Sequence, residues 1–207
     1  MILRVAAMIV AVAQCYYQTY SNFTSSYSAV FTVYDDAVYG PNSYMKVNLI
    51  YENPPQSLED KGGMWLGVGL GKSSMLGSDL VICQWNDTSM TAWCQNYLAN
   101  SKIYPYVVPA PATTQTVWTV SGYKADNTVV LTFKRFLTPS DSNGYTIRSG
   151  ASVPVTWAYG FPDRLYHGTK NRGSQTVLFA QTVLSDSHRA LLGSVTLISS
   201  MIAFLIL

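Results

Sequence analysis

The sequence predicts an all-β protein folded as an immunoglobulin-like sandwich, and three observations carry that expectation. Between its two apolar ends the chain has no repeat, no heptad and no long helical period. Short runs rich in Val, Thr, Tyr and Trp recur instead, closed by turn chemistry such as Asn53-Pro54-Pro55, Asp126-Asn127 and Ser142-Asn143-Gly144. Composition agrees: aromatics make up 13% of the 207 residues, with 15 tyrosines, while charged residues reach only 12%, about half the usual share.

In chain order, strands are expected at Tyr27–Tyr34, Tyr44–Tyr51, Met64–Leu70 and Asp79–Trp85, then at Thr116–Lys124, Thr128–Leu137, Val153–Gly160 and Gln175–Leu184. Eight or nine strands at this spacing suit two packed sheets. Within Thr128–Leu137 the period of two turns Val129, Leu131, Phe133 and Arg135 one way and Val130, Thr132, Lys134 and Phe136 the other. Arg135 is expected at the edge of the apolar face, with a carboxylate or carbonyls for partner. The segment Asn100–Gln115 holds Pro105, Pro109 and Pro111 and reads as a loop or edge segment, since proline cannot serve a central ladder.

The two ends read as addresses. Residues 1–13 combine Arg4, an apolar run too short to span a bilayer and the small-x-small pattern Ala11-Val12-Ala13. They form a secretory signal peptide with cleavage before Gln14, a short membrane anchor being the alternative. Residues 185–207 are a short polar spacer followed by the uncharged tail Ala190–Leu207, either a GPI-attachment signal, with small residues at Ser185 to Ser187, or a retained membrane helix. Residues 14–184 are the sandwich domain, held at the cell surface or a lumenal face of the secretory pathway. In that oxidising compartment Cys83, ending one strand, and Cys94, in the next, suit a disulfide across a hairpin, leaving Cys15 as the odd thiol. Asn22-Phe23-Thr24 and Asn86-Asp87-Thr88 are glycosylation acceptors at Asn22 and Asn86.

Several chemistries find no support. The formal charge of +2, from 13 basic and 11 acidic residues without a basic run, argues against a nucleic-acid partner. In Gly67–Ser74 the Gly-Lys-Ser ending of a phosphate loop is present, but the glycine needed five positions before Gly71 is Leu66. His167 and His188 are the only histidines and there is no Gly-x-Ser-x-Gly elbow, so a hydrolytic nucleophile lacks its base. Asp35-Asp36 and Glu59-Asp60 read as turn acids. Two histidines and scattered cysteines do not make a protein-only metal site, whereas a haem asks the chain for only one or two axial ligands.

Together, "WLGVGLGKSSMLGSDLVICQW", "FKRFLTPSDS", "VTWAYG" and "LYHGTKNRGSQTVLF" resemble the DOMON domain family, β-sandwiches named from dopamine β-monooxygenase. The resemblance rests on Trp65 with Gly69, Met75 with Gly77 and Asp79, Phe133 with Arg135, Trp157 with Ala158, and His167 with Gly173, and it spans roughly Tyr27 to Leu184. It implies a sandwich of the DOMON type. In the family's cytochrome branch, found in cellobiose dehydrogenase and beside cytochrome b561 helices, a Met and a His hold haem b. The matching positions here are Met75 and His167. That ligand pair closes the iron to substrate and suits electron transfer.

Beside the resemblance, charge and proximity make Lys72, Lys170 and Arg172 candidates to pair with the haem propionates. Gly67, Gly69 and Gly71 would let backbone approach a flat ring. Each ligand also has an ordinary use: Met75 as a loop methionine plugging the end of the core, His167 as a turn histidine bonded to its neighbours. Met45, Met64 and Met90 are rival ligands. The expected function is therefore a membrane-tethered b-type cytochrome module with a separate redox partner, not an enzyme. The alternative is a sugar- or small-molecule-binding or adhesion module of the same fold without haem, using its aromatic side chains. Copper chemistry like that of dopamine β-monooxygenase lacks its histidine clusters.

Overall fold

The computed structural model describes residues 15–35, 43–54, 62–99, 108–110, 116–140, 144–148, 150–160, 167 and 170–179. Among these there are eleven strands and no helix: β1 (Cys15–Asn22), β2 (Tyr27–Asp35), β3 (Tyr44–Glu52), β4 (Gly63–Leu70), β5 (Asp79–Asn86), β6 (Thr91–Leu98), β7 (Val108–Pro109), β8 (Val117–Ala125), β9 (Thr128–Phe136), β10 (Ser152–Gly160) and β11 (Arg172–Leu178). They form two antiparallel sheets, one ordered β1-β2-β3-β9-β8 and the other β11-β10-β4-β5-β6-β7. The fold is thus the expected β-sandwich, with more strands than the sequence runs suggested. The expected final strand at 175–184 instead occupies Arg172–Leu178. Two residues of the proline segment pair with β6 as β7. The signal peptide, the tail and the last part of the expected final strand lie outside the described residues, so the anchoring expectations have no structural counterpart here.

The period of two does the folding work. In β3 Met45, Val47, Leu49 and Tyr51 point inward and are buried, while the residues between them are half-exposed. These side chains meet Val129, Leu131 and Phe133 of β9 and, from the other sheet, Met64, Leu66, Val68 and Leu70 of β4 and Val153 and Val155 of β10, making one apolar core. Inside it Tyr27 packs against Phe23, Tyr51, Trp157 and Tyr159 with ring centroids 5.0, 6.4, 6.1 and 5.8 Å away. Its hydroxyl donates to the Gly67 carbonyl of the facing sheet at 3.1 Å.

Both flanks of the sandwich are stitched. On one side Thr19 Oγ1 donates to Leu178 O at 3.0 Å and Gln175 Nε2 donates to Ser21 Oγ, joining β1 to β11. On the other, β8 runs so close to β6 that a Cβ on Gly122 would sit 2.2 Å from that of Ala92. Lys124 Nζ reaches Asp87 Oδ1 at 3.2 Å beside them. Cys83 and Cys94 are direct partners across β5 and β6 and form the expected disulfide. Closing a loop with a sequence separation of 11 removes unfolded-chain entropy equivalent to ~3 kcal/mol.

Candidate functional site

Strand β4 differs from β3 in that every residue is buried, on both faces. Its even positions fill the main core. Its odd positions, Trp65, Gly67 and Gly69, face away from it, between the outward residues Leu80, Ile82 and Gln84 of β5 and Thr156, Ala158 and Gly160 of β10. Trp65, Leu80, Ile82, Tyr97 and Ala99 make a second buried apolar cluster there, with Met75, Trp93 and Ala158 packed against it. A Cβ at Gly67 would meet Ile82 and the Trp65 ring at 3.5 Å and the Ala158 carbonyl at 3.6 Å, all ordinary contact distances. The result is a second apolar cluster on the outside of the sheet, with glycine at its middle.

Met75 packs against this cluster from the turn between β4 and β5. Ser78 N donates to Met75 O at 3.2 Å, Ser78 Oγ donates to Ser74 O at 2.6 Å, and Gly77 takes the left-handed conformation (φ 75°) the turn requires. His167 lies at the other end, its imidazole edge-on to Trp65 with centroids 6.3 Å apart and planes at 64°. Trp65 and Gly69 are four residues apart on the strand between them, roughly 13 Å. Both sequence-derived ligand positions therefore border one cluster. The rival methionines do not: Met45 and Met64 are buried in the main core, and Met90 is exposed in the β5–β6 turn.

The three basic candidates are all exposed: Lys72 precedes the Met75 turn, and Lys170 and Arg172 lie at the start of β11. Arg172 pairs with Ala158 and so shares the outward cluster's side of the sheet. Asn22 is exposed at the end of β1, while Asn86 Oδ1 accepts from Thr88 N and Ser89 N, both at 2.9 Å, in the β5–β6 turn.

A buried polar network holds the Met75 turn from below. Arg135 is fully buried rather than at an edge, because β9 is an interior strand of its sheet and the guanidinium crosses the core to Asp79, the first residue of β5. Nη1 contacts Asp79 Oδ2 at 2.6 Å, Nη2 donates to Tyr145 O at 2.8 Å and Nε to Phe136 O at 3.3 Å. Asp79 also accepts from Tyr145 N at 2.8 Å and Asn96 Nδ2 at 3.3 Å. Gly71 serves this packing and not a ligand: with φ at 87°, a Cβ there would stand 2.3 Å from the Tyr145 ring.

Two buried polar atoms on this side of the sheet lack partners. Trp65 and Gln84 face each other across β4 and β5, and Trp65 Nε1 and Gln84 Oε1 are buried without a hydrogen bond. Such atoms call for water or a ligand. A DOMON domain model matches residues 56–160. The chain belongs to the DOMON domain family. This DOMON match covers β4 through β10, with Met75, Asp79 and Arg135 inside it and His167 seven residues past its end. Among solved structures the chain is similar to the cytochrome domain of Myriococcum thermophilum cellobiose dehydrogenase. The TM-score is 0.54 at 18% identity, over 84% of this chain and 86% of that one, a likeness of fold. No curated protein matches the DOMON chain in sequence.

The donor types beside this cluster, one thioether and one imidazole, are of the kind that hold a haem. Among the described residues no group of three or more His, Cys, Asp or Glu could hold a bare metal ion. Trp65 belongs to the family motif, whereas Leu80, Ile82, Gln84 and Tyr97 do not. The sequence signal for Leu80 and Ile82 is that "DLVICQW" is apolar at both odd and even positions, which a one-sided strand is not.

Proposed function

We propose that this DOMON domain is a b-type cytochrome module that exchanges single electrons with a separate partner on the exoplasmic side of a membrane. The carrying observation is that Met75 and His167 border the same outward apolar cluster. In this reading Met75 and His167 hold haem b, which supplies a one-electron couple at its iron. The thioether favours the reduced state relative to two imidazoles, and two protein ligands leave no position for substrate, so the module is not an enzyme. Leu80, Ile82 and Tyr97 keep water from the bound group. Trp65 fixes the imidazole plane, and Lys72, Lys170 and Arg172 pair with the carboxylates. The signal peptide at 1–13 and the tail at 185–207 deliver the domain to the surface and tether it.

Absorption spectra of the purified full-length chain, made in a haem-supplied host, test this reading against Met75→Ala and His167→Ala. A Soret band with sharp reduced α and β bands, lost or turned high-spin in either variant, is expected. A protein that stays colourless with added haemin overturns it. One observation favours a second reading: the cluster holds an unpartnered donor, Trp65 Nε1, and an unpartnered acceptor, Gln84 Oε1, groups that a hydroxyl-bearing sugar or small molecule would use.

A further inference from the structure

The described chain leaves the fold at Phe179, one residue past β11, and the sequence continues through residues 180–189 into the uncharged apolar run Ala190–Leu207. Strand register fixes the end of the sandwich at which it leaves. Leu178 O accepts from Thr19 Oγ1, and beyond Thr19, towards the start of β1, the row Tyr16, Tyr34, Tyr44 and Phe136 crosses the sheet. The β4–β5 turn is at this end too, because Asp79, which closes it, meets Arg135 beside Phe136.

Large apolar side chains are exposed in both halves of that end. Trp118 and Phe136, each 39% exposed with rings 5.2 Å apart, lie in one sheet; Leu178 ends β11 and Leu76 sits in the β4–β5 turn of the other. In the row beside Phe136, Lys46 stands directly opposite Lys134, whose next partner is Trp118. Like charges so placed destabilise a sheet, and among the described residues neither lysine forms an ion pair. Anions beyond the pair would offset that cost. Glu52, Asp87 and Asp126 lie at the opposite end, while Asp35, which ends β2, and the buried Asp79 are acids of this one.

We infer that this end of the sandwich seats in the headgroup layer of the bilayer its own tail enters, with Trp118, Phe136, Leu178 and Leu76 at the interface and Lys46 and Lys134 on lipid phosphates. The inference rests on the reading of residues 185–207 as a membrane attachment and does not depend on haem. Tryptophan favours the membrane–water boundary because its ring is apolar and its N–H polar, and a lysine stem lies along apolar surface while its ammonium reaches an anion. Residues 180–189 span at most about 35 Å when extended. A tether that short keeps the exit end beside the lipid, so a contact too weak to bind a free domain is enough to orient this one. A second copy of the chain fits less well, because a twofold contact here would bring the lysine pairs of both copies together.

Tryptophan emission of the full-length chain, reconstituted in phosphatidylcholine vesicles with and without acyl-brominated lipid and then floated through sucrose, tests it. The chain is expected to float and the bromines to quench its emission. Trp118→Phe should remove at least half of that quenching, because Trp65, Trp85 and Trp157 are buried and Trp93 lies towards the other end. In that background Tyr123→Trp, at the far end of β8, should add emission that the bromines do not reach. Lys46→Gln with Lys134→Gln should cut the quenching of Trp118 at least twofold, with circular dichroism confirming the fold. A chain that does not float overturns the attachment reading and the inference with it. A floated chain in which Trp118 is unquenched, is quenched no more than a tryptophan at 123, or emits according to protein density instead of bromine, as pairing with a second copy gives, overturns the inference alone and leaves the tether standing.

Discussion

Arg135 and Asp79 meet at 2.6 Å across the sandwich, one from each sheet, with side chains 0% and 5% exposed. Burial pulls the Arg135 guanidinium below its ordinary pKa, and the charge of Asp79 and its hydrogen bond oppose that. Such a pair contributes little beyond an apolar replacement, but losing one member leaves an uncompensated charge inside. Arg135→Met should therefore cost about 3–5 kcal/mol, read as a fall in the urea midpoint with unchanged slope. Because Asp79 opens β5 directly after the Met75 turn, the Met75 methyl resonance should shift in the same variant. A loss below ~1 kcal/mol would mean that the pair is solvated.

Two buried tyrosines set an alkaline limit. Burial raises the pKa of Tyr27 well above its ordinary value, and burial, then the hydrogen bond with Tyr159 and its charge, raises that of Tyr51. Above about pH 10 the unfolded chain releases these protons while the folded one keeps them, so stability is intact below the ordinary value and falls as pH rises past it. Each group steepens the fall by up to ~1.4 kcal/mol per pH unit. Tyr27→Phe should lose about 1 kcal/mol at neutral pH with its bond to Gly67 O and yet show a shallower alkaline decline. Urea unfolding from pH 8 to 11.5 measures both, and parallel alkaline slopes in the two proteins would contradict it.

The contrast between strands shows what sequence could and could not say. β3 and β9 alternate plainly, and their register follows. β6 is expected only as the strand that holds Cys94, without bounds, and β1 is not expected at all, because "TAWCQNYL" and "CYYQTYSN" mix amides and hydroxyls into both faces; they hold by pairing with β5 and β2. Arg135 looked like an edge residue because a lone cation cannot be buried. Its counter-ion comes from a strand distant in sequence, and no local pattern announces that. At the candidate site, Met75 and His167 were legible only through family motifs. The apolar cluster they border needs the register of β4, β5 and β10, which sequence does not carry.

Two glycines of β4, one pair apart on the same face, should behave oppositely. At Gly67 an added methyl meets Ile82 and Trp65 at 3.5 Å, so Gly67→Ala should leave the melting temperature nearly unchanged. At Gly69 the methyl would lie 2.6 Å from Leu80 Cδ2, 2.7 Å from Thr156 Cγ2 and 2.9 Å from Ser78 Cβ, crowding on three sides. Gly69→Ala should cost about 1–3 kcal/mol, and the push on Ser78 is transmitted to the turn that carries Met75. Gly67→Leu separates fold from site: it adds bulk at the middle of the outward cluster, so haemin titration should show lost uptake while circular dichroism keeps the β spectrum. Undiminished uptake by a folded Gly67→Leu chain would move the binding site away from this face.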